Sequence, residues 1–224
     1  VELDALQRAC RATDEALGTV LDRIVPGVSE RQVARWIDDA LRDRTEGPGF
    51  ETIVASGPNG ASPHHEPTDR PIERGDLVTI DFGARVDGYH ADMTRTLLVG
   101  GSPEPWQREI YEVVKAAQAA GVAALAPGRA ASEVDAAARE VLARAGWGAE
   151  FVHGLGHGVG LQIHEAPYLG TTSTDKLAAS VPVTVEPGVY LPGRGGVRIE
   201  DTVVVHADRV ESLTTTTRDL LTVG

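Results

Sequence analysis

Two aspartates stand inside sequence that otherwise reads as buried strand. They fall in Val78-Thr79-Ile80-Asp81-Phe82-Gly83 and in Asp92-Met93-Thr94-Arg95-Thr96. Aspartate is depleted in strands, and a buried carboxylate is costly unless a cation pairs with it. A fold for this chain must therefore bring apolar strands to a polar cleft. Three more groups sit in or beside apolar segments: His157, Glu186 in Val185-Glu186-Pro187-Gly188, and Glu200 in Arg198-Ile199-Glu200-Asp201. Four carboxylates and one imidazole point to a dinuclear metal site. Such a site points in turn to hydrolysis by an activated water.

Strand alternation supports a hairpin. Leu77, Thr79 and Asp81 share one face, as do Asp92, Thr94 and Thr96. If the strands pair, Asp81 and Asp92 converge on one ion. Taken alone, a turn-capping Asp81 and an Asp92 that accepts backbone hydrogen bonds are equally good readings. The other three groups tip the balance toward metal.

The rest of the chain reads as helices and short strands. Leu3, Leu6, Cys10, Leu17, Val20, Leu21 and Ile24 recur at helical spacing up to Pro26-Gly27. Ser29 caps a second helix, with Gln32 three residues on and Val33, Trp36, Ile37, Ala40 and Leu41 on its buried stripe. Ile110 to Leu125 marks a third helix, ended by Pro127-Gly128. Ser132, followed by Asp135, is expected to cap a fourth. Strands are expected at Thr52–Ala55, Leu77–Phe82, Ala91–Val99, Phe151–His153, Gly160–His164, Val183–Glu186 and Val197–Val205. The pattern helix, Pro-Gly, Ser-Glu, helix, strands occurs twice, so halves of about 1–100 and 101–224 read as an internal duplication. Two such units imply an α+β fold, with one curved antiparallel sheet and helices on its outer face.

A chain of 224 residues with 42% apolar content is long enough for a full core. Its net charge of −12 argues against nucleic acid. No apolar run suits a membrane span and no signal-peptide pattern is seen. Cys10 is the single cysteine, so no internal disulfide forms. A cytoplasmic location is expected.

His153-Gly154-Leu155-Gly156-His157-Gly158-Val159-Gly160 is no dinucleotide fingerprint, because it lacks a strand-to-helix crossover and the later acidic residue. Its glycines fit close backbone approach around a site. His157 then reads as a ligand, and His153 and His164 as groups that support the ligands or face substrate. Arg198 shares a strand face with Glu200 and Thr202 and is placed to orient ligand carboxylates. His65 reads as loop structure, and Asp201 as structural.

These segments, in this order, resemble the pita-bread metallopeptidases. That family includes methionine aminopeptidase, Xaa-Pro aminopeptidase and Xaa-Pro dipeptidase (prolidase), with creatinase as a non-peptidase relative. The resemblance covers nearly the whole chain. It implies metal ligation by Asp81, Asp92, His157, Glu186 and Glu200, with Asp92 and Glu200 bridging two ions. It implies catalytic parts for His64, His164 and Glu186, and substrate-facing or supporting parts for His153 and Arg198. Val185–Tyr190 and Gly195–Thr202 look most like the proline-directed branch. The implied activity is hydrolysis of the bond between an N-terminal residue and proline, using two divalent ions. Manganese is favoured by the resemblance, and Co, Zn or Fe also suit the ligands. Short peptides with a free N-terminus and proline second are the implied partners, and a homodimer the implied assembly. Relatives commonly carry a creatinase-type N-terminal domain. This chain starts at the first catalytic helix, so residues 1–224 are expected to form a single catalytic domain without it. The competing expectations are methionine aminopeptidase, a creatinase-like amide hydrolase, and a domain that binds without catalysis.

Overall fold

Helical periodicity near the start of the chain buries Leu6, Ala9, Cys10, Leu17 and Val20 on one face of α1 (Glu2–Val20). The structure, a computed structural model, describes all residues 1–224. α2 (Glu30–Arg42) begins at Ser29, whose side chain accepts the Gln32 N–H at 3.2 Å, as its cap position requires. Trp36 is only half-buried and lies under Arg23, whose guanidinium carbon is 3.9 Å from the ring centre. Strands β1 (Ile53–Ser56), β2 (Leu77–Phe82), β3 (Arg85–Val86), β4 (Tyr89–His90) and β5 (Met93–Val99) follow. The second helix pair is α3 (Pro105–Ala124) and α4 (Ala131–Arg144). After it come β6 (Gly156–Gly158), β7 (Glu165–Leu169), β8 (Val181–Val185), β9 (Gly188–Leu191), β10 (Gly195–Arg198), β11 (Asp201–Val205), β12 (Val210–Ser212) and β13 (Thr222–Val223). The α+β class is borne out. No helix is long and apolar enough to cross a membrane.

The strands form two main sheets, in the orders β1-β2-β5-β13 and β12-β11-β8-β6-β7, with β9–β10 and β3–β4 as hairpins. β13 runs parallel to β5, so the first of these sheets is mixed, where one wholly antiparallel sheet was expected. The two halves are joined where Glu200 N donates to Thr94 O at 3.1 Å and Arg198 N to Thr96 Oγ1 at 3.1 Å. Beneath α1 and α2 lies one apolar cluster, including Leu17, Ile37, Ile80, Phe82 and Met93. Beneath α3 and α4 lies another, including Ile110, Leu142, Val185, Val197 and Val203. Each fully buried aliphatic side chain contributes about 1.5–3 kcal/mol of transfer free energy. Both helix layers are thereby held to the sheets that carry the acids.

Four further sequence expectations need correction. Ser132 is not the cap of α4; Ala130 is, and no side chain serves. The chain itself does the work, because Ala131 N donates to Asp175 O at 2.9 Å. Phe151–His153 is not a strand. Its carbonyls are taken by Arg139, which donates to Phe151 O at 2.9 Å and His153 O at 2.8 Å. Gly160–His164 is a turn, closed by Gly160 N to Gln162 O at 3.1 Å and by Gln162 N to the Glu165 carboxylate at 3.2 Å. The run Val197–Val205 breaks at Ile199 and Glu200. There the chain leaves its hairpin with β9 and begins pairing with β8. The break frees Glu200 from a ladder.

Candidate metal centre

Each acid stands near the end of a strand or just beyond one. Asp81 lies near the end of β2, opposite Thr94 of β5. Asp92 immediately precedes β5, Glu186 immediately follows β8, and Glu200 links β10 to β11. His157 is the central residue of β6. These five side chains line one open cavity of 340 Å³ together with His64, His153, His164 and Arg198. The fold thus brings every residue singled out in the sequence to one place. The cavity also takes Phe50, Ile53, Ile163 and Leu169, which sequence reasoning missed. Scattered single apolar residues carry no periodic signal.

Ligand-type atoms of Asp92, His157 and Glu200 lie within 4.8 Å of one another. His157 Nε2 is 3.3 Å from Glu186 Oε1 and 3.6 Å from Asp92 Oδ2. Its Nδ1 is 3.0 Å from Gly158 O. That bond makes Nδ1 the donor and leaves Nε2 as the ring nitrogen that faces the cavity.

Threonines on the same strand faces hold the acids. Thr94 Oγ1 donates to Glu200 Oε2 at 2.5 Å. Thr184 Oγ1 donates to Glu186 Oε1 at 3.2 Å and accepts His157 N–H at 3.1 Å. Thr202 Oγ1 donates to Asp92 O at 2.8 Å and accepts Asp92 N–H at 3.2 Å. Only Thr184-x-Glu186 shows its support as a period-two pair in the sequence; the Thr94–Glu200 and Thr202–Asp92 bonds join distant segments.

Arg198 is almost fully buried and anchors the other side. It donates to Asp81 Oδ2 at 2.7 Å, Thr94 Oγ1 at 3.1 Å, Tyr190 Oη at 3.0 Å and Pro63 O at 3.3 Å. Tyr190 Oη in turn donates to His153 Nε2 at 2.7 Å, and His153 Nδ1 meets Gly154 O at 2.8 Å. This row of bonds needs His153 neutral. Burial pushes its pKa down, which suits that role.

The donor set fits divalent cations. Asp81 Oδ1 and Glu200 Oε1 are buried and have no hydrogen-bond partner. Buried polar atoms normally have one, and a metal ion satisfies this need. Burial, then the Glu200 and Asp81 charges, pushes the Asp92 carboxyl well above its ordinary pKa. Burial, then Glu186 and Asp81, does the same to Glu200. Burial also raises Asp81, against the pull of Arg198. Glu186 is the exception: burial opposes its ionisation, but contact with His157 outweighs that and lowers its pKa. Crowded acids of this kind are relieved by positive charge placed among them. Carboxylates with one imidazole suit first-row divalent metals without choosing among them.

The glycines around His157 allow close approach, as expected. A Cβ on Gly156 would stand 2.1 Å from Thr184 O, and one on Gly158 2.4 Å from Ala166 O. Gly156→Ala must push β6 away from β8 and carry His157 with it. The expected result is a loss of about 1–3 kcal/mol, the usual cost of overpacking. Metal affinity should fall with it. Urea denaturation and metal titration check both, and unchanged values in both would refute the close-packing account.

Metallopeptidase family M24 matches this chain over residues 4–207. The Xaa-Pro dipeptidase of Pyrococcus furiosus is 45% identical over 221 residues, which cover 98% of this chain and 63% of that protein. An Xaa-Pro dipeptidase from Bacillus anthracis superimposes with a TM-score of 0.96 at 41% identity, covering 99% of this chain and 62% of that one. An X-Pro aminopeptidase from Thermotoga maritima does so with a TM-score of 0.96 at 36% identity, covering 99% and 63%. The chain thus spans less than two thirds of the length of each of these relatives.

Proposed function

Because this chain belongs to metallopeptidase family M24 and has its pita-bread fold, we propose that it hydrolyses the peptide bond between an N-terminal residue and proline, with two divalent cations as cofactors. The observation that carries this reading is the gathering of Asp81, Asp92, His157, Glu186 and Glu200 around one cavity, with buried Asp81 and Glu200 oxygens left unpartnered. Relatives named as Xaa-Pro dipeptidases and as an X-Pro aminopeptidase support the substrate class. On this reading residues 1–224 act as one catalytic unit, and both halves bring ligands to the cleft. Manganese is the proposed metal.

Asp81, Asp92, His157, Glu186 and Glu200 would hold the cations, with Asp92 and Glu200 shared between them. When bound, the cations supply Lewis-acid polarisation of the scissile carbonyl and acidify the attacking water. Contact with His157 favours the ionised form of Glu186, and that carboxylate would accept the proton of the water and return it to the leaving nitrogen. His164 lies edge-on to His157, with ring centres 4.4 Å apart. Burial, then the neighbouring His157, pushes its pKa down. A neutral His164 can still donate one N–H to the oxygen on which charge develops. His64 also lines the cavity and is assigned to the substrate's amino end. Phe50, Ile53 and Ile163 give the wall its apolar part and limit water around the first side chain.

Parallel assays on Ala-Pro, Ala-Pro-Ala and Met-Ala-Ser test this function. Release of alanine from one or both proline peptides, dependent on metal and faster than release of methionine, is the expected result. The ratio of the first two separates dipeptidase from aminopeptidase. Faster cleavage of Met-Ala-Ser would move the activity to that of a methionine aminopeptidase. No metal-dependent turnover of any peptide would remove the peptidase reading.

A further inference from the structure

The loop that carries His64 is held from behind by a carboxylate outside the cavity. Glu30, the first residue of α2, is fully buried. Its Oε1 accepts from Ser56 N at 2.7 Å, Ser56 Oγ at 2.7 Å and Asn59 Nδ2 at 2.9 Å. Its Oε2 meets His65 Nε2 at 2.8 Å and accepts from Thr68 N at 3.0 Å and Thr68 Oγ1 at 2.7 Å. The donors span residues 56–68, so they enclose His64 on both sides. Immediately before His64, Pro63 O accepts from Arg198; immediately after it, His65 meets Glu30. Substrate-side and rear anchors thus flank the one histidine.

We propose that Glu30 is a positioning residue for the reaction, which fixes His64 at the cavity by gripping both arms of its loop. This rests on the peptidase reading and on the part assigned there to His64.

The chemistry calls for a carboxylate. Burial opposes ionisation of Glu30, but the bonds from His65, Asn59, Ser56 and Thr68 outweigh it and hold the carboxyl down to about 2. Both oxygens act purely as acceptors. A glutamine would turn an amide N–H₂ toward one set of donors. The hydroxyls, the Asn59 amide and the His65 tautomer can reverse to accept. The backbone N–H groups of Ser56 and Thr68 cannot. One of them would face another donor in a buried site, which is costly.

The second helix pair contains a parallel device. Asp135 of α4 is fully buried and accepts from Leu155 N at 3.1 Å and from Arg139 Nε and Nη2, each at 3.0 Å. Arg139 then donates to the carbonyls of Phe151 and His153. In each half, a buried acid on the second helix holds a loop that brings a histidine to the cavity. Simple capping does not require this, since Ser29 already caps α2.

The test is a double-mutant cycle on the metal-loaded enzyme, with Glu30→Gln, His64→Ala and the double variant assayed on Ala-Pro and Ala-Pro-Ala. Glu30→Gln should lower kcat/KM by roughly 10- to 100-fold, since a misplacement of about 1 Å caused far from the chemistry costs up to about 100-fold. In the His64→Ala background the same change should cost less than about three-fold, because coupled residues are non-additive. Equal factors in both backgrounds would overturn the proposal, since a role in stability alone acts regardless of His64. If Glu30→Gln does not fold, Thr68→Val replaces it, with a smaller loss and the same dependence on His64. If the wild type cleaves no peptide, the peptidase reading fails separately. The positioning claim is then read from the ¹⁵N and ring-proton NMR signals of His64. Signals moved or broadened by Glu30→Gln support it, and unchanged signals overturn it.

Discussion

Asp92→Asn and Glu200→Gln are each expected to lower turnover by more than about 100-fold, the upper end of the loss for an outer-shell partner. Both substitutions are nearly isosteric, so they remove charge and leave packing. Asp92, His157 and Glu200 are the residues whose ligand-type atoms gather within 4.8 Å. On the proposed reading each of these two carboxylates serves two cations. Asp81→Asn should cost less, because Asp81 serves one cation and already has Arg198 as a partner at 2.7 Å. The metal-free forms should behave in the opposite sense. There the carboxylates repel one another, so removing one charge should hold or raise the Tm in chelator while metal affinity falls. Turnover, bound metal and Tm with and without chelator check the prediction. Wild-type turnover of either variant at saturating metal would exclude the assigned roles.

Arg95→Met is expected to cost about 3–5 kcal/mol, the penalty for breaking a buried ion pair from one side. Arg95 is among the largest fully buried side chains. It donates to Asp201 Oδ1 at 2.7 Å and to the carbonyls of Thr94, Glu200, Thr216 and Thr217. It therefore ties β5, the Glu200 turn and the C-terminal segment together. That segment also reaches α1 through Thr215 and Thr216, which both bond Asp14. Arg218, Gln118 and Thr214 still hold Asp201 after the substitution, which blunts the loss there. The stranded carbonyls have no such substitute. Arg95→Lys should rescue little, because one ammonium cannot reach acceptors spread around a planar fork. Denaturant unfolding of the metal-free chain measures this, and a loss under about 1 kcal/mol would contradict it.

What the sequence revealed depended on whether a signal was local. Asp81 and Asp92 were legible because each breaks an apolar strand pattern. The Ser29 cap was legible because its hydroxyl meets an N–H three residues away. Ser132 had the same local signature, but a distant strand-like segment at Asp175 and Lys176 had already taken the helix start. Phe151–His153 looks like strand until Arg139 claims its carbonyls. The Val197–Val205 run hides its break because β10 and β11 both read as strand, and only their change of partner exposes Glu200. Arg95 gave no warning at all. It reads as one polar residue on the strand face opposite Asp92, and its partner Asp201 lies far along the chain. Glu30 was seen only as punctuation after Ser29, since the loop it grips starts well downstream. Side chains that bind across the two halves need the topology before they can be read.

Anomalous diffraction from crystals of active, manganese-loaded protein, recorded on both sides of the metal edge, tests the central claim most directly. The account predicts two ions at the floor of the cavity, with Asp92 and Glu200 contacting both and Asp81, His157 and Glu186 completing the set. A single stoichiometric ion with ordered water in the second position, in the presence of excess metal, would contradict it.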